Sequence, residues 1–380
     1  MKRNIKLSLP HLSGTEQKYI DEAMRDCWIV PLGPHVDEFE HRLETYLGHN
    51  DVVALSAGTA AIHLGLVMLD VKAGDEVIVQ DLTFSASANP VRYQGAVPVF
   101  VDSEPDTWNM SPELLERAIN DRIKVTGRKP KAIVAVHLYG MPAKMDEIRS
   151  IAEKYDISVL EDAAEALGSE YKGQKCGTLG RYGALSFNGN KIITTSGGGA
   201  LVCPSAEAAA RVKFYATQSR ENRPYYYHEV IGFNYRLSNI SAAIGCGQIE
   251  SLQERVDRRR GIHHLYREML EGTEGITVQE NPSAEFNSNF WLSTILIDPA
   301  TGITPDGVRV DLMEKGIETR LLWRPMHMMP FFADAPAYTD GTAESLFERG
   351  LCLPSGSSLT DEDIIFVAEA IKSYVNDHRI

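Results

Sequence analysis

Over the first two thirds of the chain, apolar and polar positions alternate between two rhythms. Short apolar runs bounded by charged or turn residues recur at "DVVALS" (51–56), "DEVIVQ" (75–80), "VPVFVD" (97–102), "KAIVAVHL" (131–138) and "ISVLED" (157–162). Their length and Val/Ile content predict strands. Between them, "GTAAIHLGLVML" (58–69) and "SASANPVRYQG" (85–95) predict helices. Strands alternating with helices predict a mostly parallel central sheet with helices on both faces, an α/β fold. Ligands in such sheets sit beyond the carboxyl ends of the strands, so those residues matter first.

The rhythm changes in the last third. The stretch 241–271 reads as one long charged helix, with Arg258, Arg259 and Arg260 on a solvated face. His263 and His264 diverge by about 100° on a helix, which argues against joint metal ligation. "FWLSTILID" (290–298), "GIETRLLW" (316–323) and a closing helix at 361–377 predict a smaller α+β unit. The expected division is a large domain over 1–240, including the N-terminal segment, and a small one over 241–380.

Composition narrows the functional classes. The formal net charge is −14 over 380 residues, which argues against nonspecific nucleic-acid binding. The five cysteines are scattered without a CxxC and read as reduced thiols of a cytoplasmic protein. The opening "MKRNIKLSLPHLSG" lacks the apolar stretch of a signal peptide. The most apolar long window, 52–69, contains Ser, Thr, Gly and His and reads as strand, turn and buried helix, not as a membrane span. No metal site is expected.

Chemistry gathers at the expected strand ends. Asp162 closes a strand. It reads either as a helix cap, with Glu165 three residues on, or as a functional acid. Lys191 lies in "SFNGNKIITTSGGGALV" (186–202), between an apolar approach and a glycine patch that lets the backbone come close to a ligand. A lysine and an aspartate on neighbouring strand ends suit pyridoxal phosphate: the amine forms a Schiff base and the acid keeps the pyridine nitrogen protonated. "SAGTAAIHL" (56–64) supplies a phosphate cup, with Gly58, Thr59 and Ala60 opening a helix. Ser186 reads as a further candidate phosphate ligand, and Phe84 either stacks on the ring or packs in the core. His137, before "LYG", is either a site residue or a buried structural histidine.

In this order the motifs resemble the fold type I pyridoxal phosphate-dependent aminotransferases of nucleotide-linked keto sugars, the DegT/StrS type. The resemblance spans nearly the whole chain, through "PLGPHVDEFE", "VHLYGMPAKMDEI", "EDAAEALGS", "GFNYRLSNISAAIG" and "RPMHMMPFF". It implies that Lys191 is the Schiff-base lysine, Asp162 the partner of the pyridine nitrogen, and Glu165 a neighbour of the phenolic oxygen. It implies that Asn234 reaches the cofactor of a partner subunit, hence a homodimer with shared sites. Related enzymes with histidine in place of the lysine are dehydratases; Lys191 sets that branch aside. The resemblance implies L-glutamate as donor and a nucleotide sugar as acceptor. The implied acceptor is UDP-2-acetamido-2,6-dideoxy-4-ketohexose, aminated at C4 as in the bacillosamine branch. A GDP-perosamine-type enzyme, then a dTDP-3-keto-sugar enzyme, are the alternatives. A diphosphate needs local cations, so His327, Arg236, Arg220 and Asn188 are substrate candidates, with Arg223, Arg320 and Arg324 nearby in sequence.

Overall fold

The computed structural model describes residues 3–378. Its centre is an eight-stranded sheet. The strands are β1 (Val52–Leu55), β2 (Glu76–Gln80), β3 (Val97–Val101), β4 (Ala132–Val136), β5 (Ser158–Asp162), β6 (Tyr182–Ser186) and β7 (Gly199–Val202), with Ala337–Tyr338 at one edge. The order is β1-β7-β6-β5-β4-β2-β3, then the edge pair. From β6 across to that edge every pairing is parallel; β7 alone runs against both its neighbours, β6 and β1.

Strand periodicity explains why both faces are covered. Along β2, Ile78 points into one apolar layer with Phe39, Leu43 and Ile133. Val77 and Val79 point into the other, with Leu64, Val134 and Leu160. A strand buried on both sides reads as a continuous apolar run, which is why these strands were legible. A third apolar cluster, with Ile262, Tyr266, Ile295, Ile364 and Ile371, lies under the four-stranded sheet of the C-terminal part.

Several expectations are corrected. The stretch 85–95 is not one helix but a single turn, Ser85–Ser87, then a short helix, Asn89–Tyr93. Pro90 has no N–H to continue a helix and starts one instead. The stretch 241–271 is two helices, Asn239–Ile249 and Leu252–Leu270. The first is small and apolar and lies against the helices Glu16–Arg25 and Pro34–Leu47. The second is charged and lies against the closing helix Asp361–His378. Arg259 is not on a solvated face: it is 1% exposed, donating to the carbonyl of Trp291 and to Ser8 Oγ. Burial lowers its pKa to about 9, and the nearby Arg255 adds to the effect. His263 is buried, with its ring stacked on Phe290, while His264 is exposed.

Two excursions cross the division expected at residue 240. Ala337–Tyr338 returns to pair with β3. At the other end, Ile5 pairs with Ile317 and joins the C-terminal apolar cluster. Among the described residues no helix is long and apolar enough to cross a membrane, and none of the five cysteines forms a disulfide.

Candidate active site

The carboxyl ends of β5 and β6 and the start of the helix Gly58–Met68 open into one cavity of about 680 Å³. Asp162, Glu165, Ser186, Asn188, Lys191, Gly58, Thr59 and Phe84 all line it. Sequence neighbours do not explain this convergence. The order of the strands does: β5 and β6 are adjacent, and β7 brings the chain back beside β1.

Lys191 sits in the loop between β6 and β7. That loop is closed at its base by Phe187 N–H donating to the carbonyl of Gly198 at 2.8 Å and Thr195 N–H donating to the carbonyl of Phe187 at 2.9 Å. The Lys191 side chain is 14% exposed. Its Nζ lies 3.1 Å from Glu165 Oε1 and 4.1 Å from the centre of the Trp291 ring. Glu165 Oε2 also accepts the amide of Tyr139 at 2.8 Å. Burial raises the Glu165 pKa to about 7, against the pull of the Lys191 ammonium. A carboxyl poised near neutrality beside an amine can hold or release a proton at working pH.

Asp162 does not cap a helix. The residues after it are turns, and its Oδ1 accepts the amide of Ala164 at 3.1 Å. Ser87 donates to Oδ2 at 2.6 Å, and Ser87 Oγ is 2.7 Å from Thr83 Oγ1. The carboxylate is thus aimed by two donors, with one face left to the cavity.

The phosphate cup has a geometry of its own. The N-cap of the helix Gly58–Met68 is Ala57, which offers no side-chain acceptor. The first-turn amides are therefore free to bind an anion, with the helix dipole in favour. A Cβ added at Gly58 would lie 2.9 Å from Ser186 Cβ, so only glycine lets the helix start and the Ser186 hydroxyl form one surface. One at Gly199 would lie 2.5 Å from Gly58 N. These donors fit a phosphate, Asp162 fits a pyridinium nitrogen and Lys191 fits an aldehyde, so the residues present suit pyridoxal phosphate. Ala60 is different: its side chain belongs to the core.

Other candidates are placed elsewhere. Arg236 is held by Glu40 and donates to the carbonyl of Ala54, away from the cavity. His327 lies between Asp81 and Glu344, its Nδ1 2.6 Å from Asp81 Oδ2 and its Nε2 3.2 Å from Glu344 Oε1, and does not line the cavity either. The hydrogen bond to Asp81 raises the His327 pKa, against some desolvation. Arg220 is exposed, its guanidinium 4.5 Å from the Tyr226 ring centre, and Asn234 is exposed and bridged to Thr217. Within one chain neither reaches the cavity lining. His137 takes the structural role: fully buried, it bonds Glu161 at 2.8 Å through Nε2 and accepts the amide of Ala143 at Nδ1. Ser87, Trp291, Trp323 and Lys6 were missed. Thr83 and Ser87, four apart across Phe84, carried a faint signal; the tryptophans and Lys6 arrive only through tertiary packing.

The profile of the DegT/DnrJ/EryC1/StrS aminotransferase family matches residues 10–372. The chain is 50% identical over 367 residues to EpsN of Bacillus subtilis, described as a candidate pyridoxal phosphate-dependent aminotransferase, covering 96% of this chain and 94% of that protein. It is 38% identical over 367 residues to the GDP-perosamine synthase of Caulobacter vibrioides, covering 97% of each. Among solved structures, a DegT DnrJ EryC1 StrS aminotransferase from Brucella abortus superposes with a TM-score of 0.89 at 31% identity, over 95% of each chain.

Proposed function

The chain belongs to the DegT/DnrJ/EryC1/StrS aminotransferase family and is a pyridoxal phosphate-dependent aminotransferase; from that premise we propose that it moves the amino group of L-glutamate to C4 of a nucleotide-linked 4-keto-6-deoxy sugar. The proposed acceptor is UDP-2-acetamido-2,6-dideoxy-4-ketohexose, giving UDP-2-acetamido-4-amino-2,4,6-trideoxyglucose. The observation that carries the chemistry is the meeting of Lys191, Glu165 and Asp162 in one cavity with the open helix start at Gly58.

Pyridoxal phosphate, when bound, supplies an aldehyde carbon that accepts an amino group and a ring that accepts electrons. Asp162 would face the pyridine nitrogen, held in place by Ser87 and the amide of Ala164. The amides of Gly58 and Thr59 and the Ser186 hydroxyl would bind the phosphate. Lys191 Nζ takes the proton from the donor α-carbon and later delivers one to the sugar carbon, which sets the configuration of the new amine. Glu165 keeps the Lys191 amine oriented and shares its proton. Trp291 and Phe84 shield the reacting atoms from bulk water.

The protein works as a homodimer with shared sites in this reading. Exposed apolar side chains gather in two stretches, Trp28, Ile29, Val30 and Leu32, and Tyr225, Tyr226, Val230 and Ile231. Exposed apolar clusters of this kind mark protein contacts. A second copy covering them brings Asn234 to the neighbouring cofactor.

A GDP-linked 4-keto sugar is the second reading, favoured by the 38% identity to a GDP-perosamine synthase. The test uses protein carrying the cofactor, bleached by L-glutamate, then offered each keto sugar. Return of the visible absorbance with the UDP sugar supports the first reading. Return only with the GDP sugar selects the second, and return with neither removes both.

A further inference from the structure

The cavity is lined by three cationic side chains, Lys6, Lys191 and Arg320. Lys191 is deep and committed to Glu165. The other two have no such commitment. Lys6 is half-buried and makes no ion pair among the described residues. Among the described residues the one ion pair of Arg320 is with Glu318, at 3.3 Å, and its side chain is 69% exposed, which puts it at the mouth.

The backbone holds this pair together. Ile5 N–H donates to the carbonyl of Gly316 at 2.9 Å, and Glu318 N–H donates to the carbonyl of Ile5 at 2.8 Å. Two residues further, Ser355 N–H donates to the carbonyl of Leu7 at 2.8 Å. Lys6 and Arg320 therefore flank one short ladder. Arg320 itself pairs with Cys352 of the neighbouring strand, another cavity residue. The N-terminal segment is also tied toward the floor, since Ser8 Oγ donates to the carbonyl of Asn190 at 2.8 Å.

The geometry points to Lys6 and Arg320 as a clamp for the diphosphate of the sugar-nucleotide substrate. This inference rests on the sugar-nucleotide reading above. Depth selects the ligand. A substrate whose reacting carbon lies at Lys191 carries its remote part toward the mouth. For an amino acid that distance is short; for a nucleotide sugar the diphosphate lies beyond the hexose ring. A planar guanidinium grips two phosphate oxygens at once and a lysine adds a point charge. In a chain of net charge −14, anion binding of this kind has to come from a local pair.

The test is calorimetric titration of the cofactor-loaded protein with UDP and GDP, neither of which can be aminated. The expected result is binding of one of them that weakens with added salt, about tenfold weaker in each of Lys6→Met and Arg320→Gln. Lys6→Arg keeps the point charge and recovers most of the affinity, whereas Arg320→Lys keeps the charge but loses the bidentate fork and recovers only part of it. If the nucleotide binds but both neutral variants bind it equally well, the clamp is wrong while the sugar-nucleotide reading stands. If neither nucleotide binds the unaltered protein, both fall. L-glutamate titrations run on the same variants: weaker donor binding with unchanged nucleotide binding assigns the pair to the donor carboxylate and overturns the clamp.

Discussion

At the floor of the cavity Glu165 meets Lys191 and the amide of Tyr139, and Asp162 meets Ser87 and the amide of Ala164. At the mouth, Lys6 has no ion pair among the described residues and Arg320 has only its neighbour Glu318. Further out, Arg220 and the tyrosines of 225–227 lie exposed. The floor is arranged by its own fold and needs little reorganisation when a cofactor arrives, which is how electrostatic preorganisation works. The outer rim is left for something brought to it, a substrate or a second chain. Positions inside the floor should therefore govern rate and acid–base behaviour, and positions on the rim should govern retention and affinity.

The contrast can be broken in four places. Replacing Lys191 by alanine should lower turnover by about a thousandfold or more, with the melting temperature nearly unchanged. A variant that keeps full activity would falsify the proton-carrier role. Next comes Glu165→Gln, read as stability of the cofactor-free protein. Burial keeps the folded carboxyl protonated up to about pH 7, above the ordinary glutamate value of 4.5. Folding thus takes up a proton between those values. Glu165 costs about 3 kcal/mol above pH 7, and that cost disappears as the pH falls to 4.5. Urea unfolding at pH 7.5 and pH 4.5 should show the parent gaining by that amount relative to the glutamine variant. A gap independent of pH means that Lys191 keeps the carboxylate ionised throughout.

On the rim, Asn234→Ala should speed cofactor loss on dialysis, with affinity down about tenfold. Equal retention in both proteins rules out sharing of the site between subunits. The smallest effect is expected at His327→Gln, under about 1 kcal/mol in thermal melts because water reaches this edge. Its sign is fixed. A raised histidine pKa gives stability that is complete below the unfolded value near 6.5 and lost as pH rises through the folded one. A larger loss at pH 9 than at pH 6 contradicts the Asp81 pairing as the source.

Much of the floor could be read directly from local order in the chain. Asp162 ends a strand buried on both faces, and Lys191 lies between two strands with glycines beside it, so short-range pattern and site coincide. The alternation of strands and helices likewise gave the parallel sheet. What escaped was set by distant packing. Arg259 looks like its neighbours Arg258 and Arg260, yet a helix of 3.6 residues per turn sends it alone to the carbonyl of Trp291. Trp291 itself reaches Lys191 from a hundred residues away. Arg236 and His327 were expected at the substrate because they are cationic and near family landmarks, but carboxylates of this same chain reach them first. Lys6 gave no sign, because its significance depends on a ladder with Ile317 at the far end of the chain.

The closed base of the loop carrying Lys191 has a consequence for motion. With Phe187 tied to both Gly198 and Thr195, the backbone beneath the lysine is anchored between two strands. The amine therefore travels by rotation about its own four-carbon stem and not by rearrangement of the loop. A proton carrier mounted this way can change partners without remaking the backbone of the floor around it.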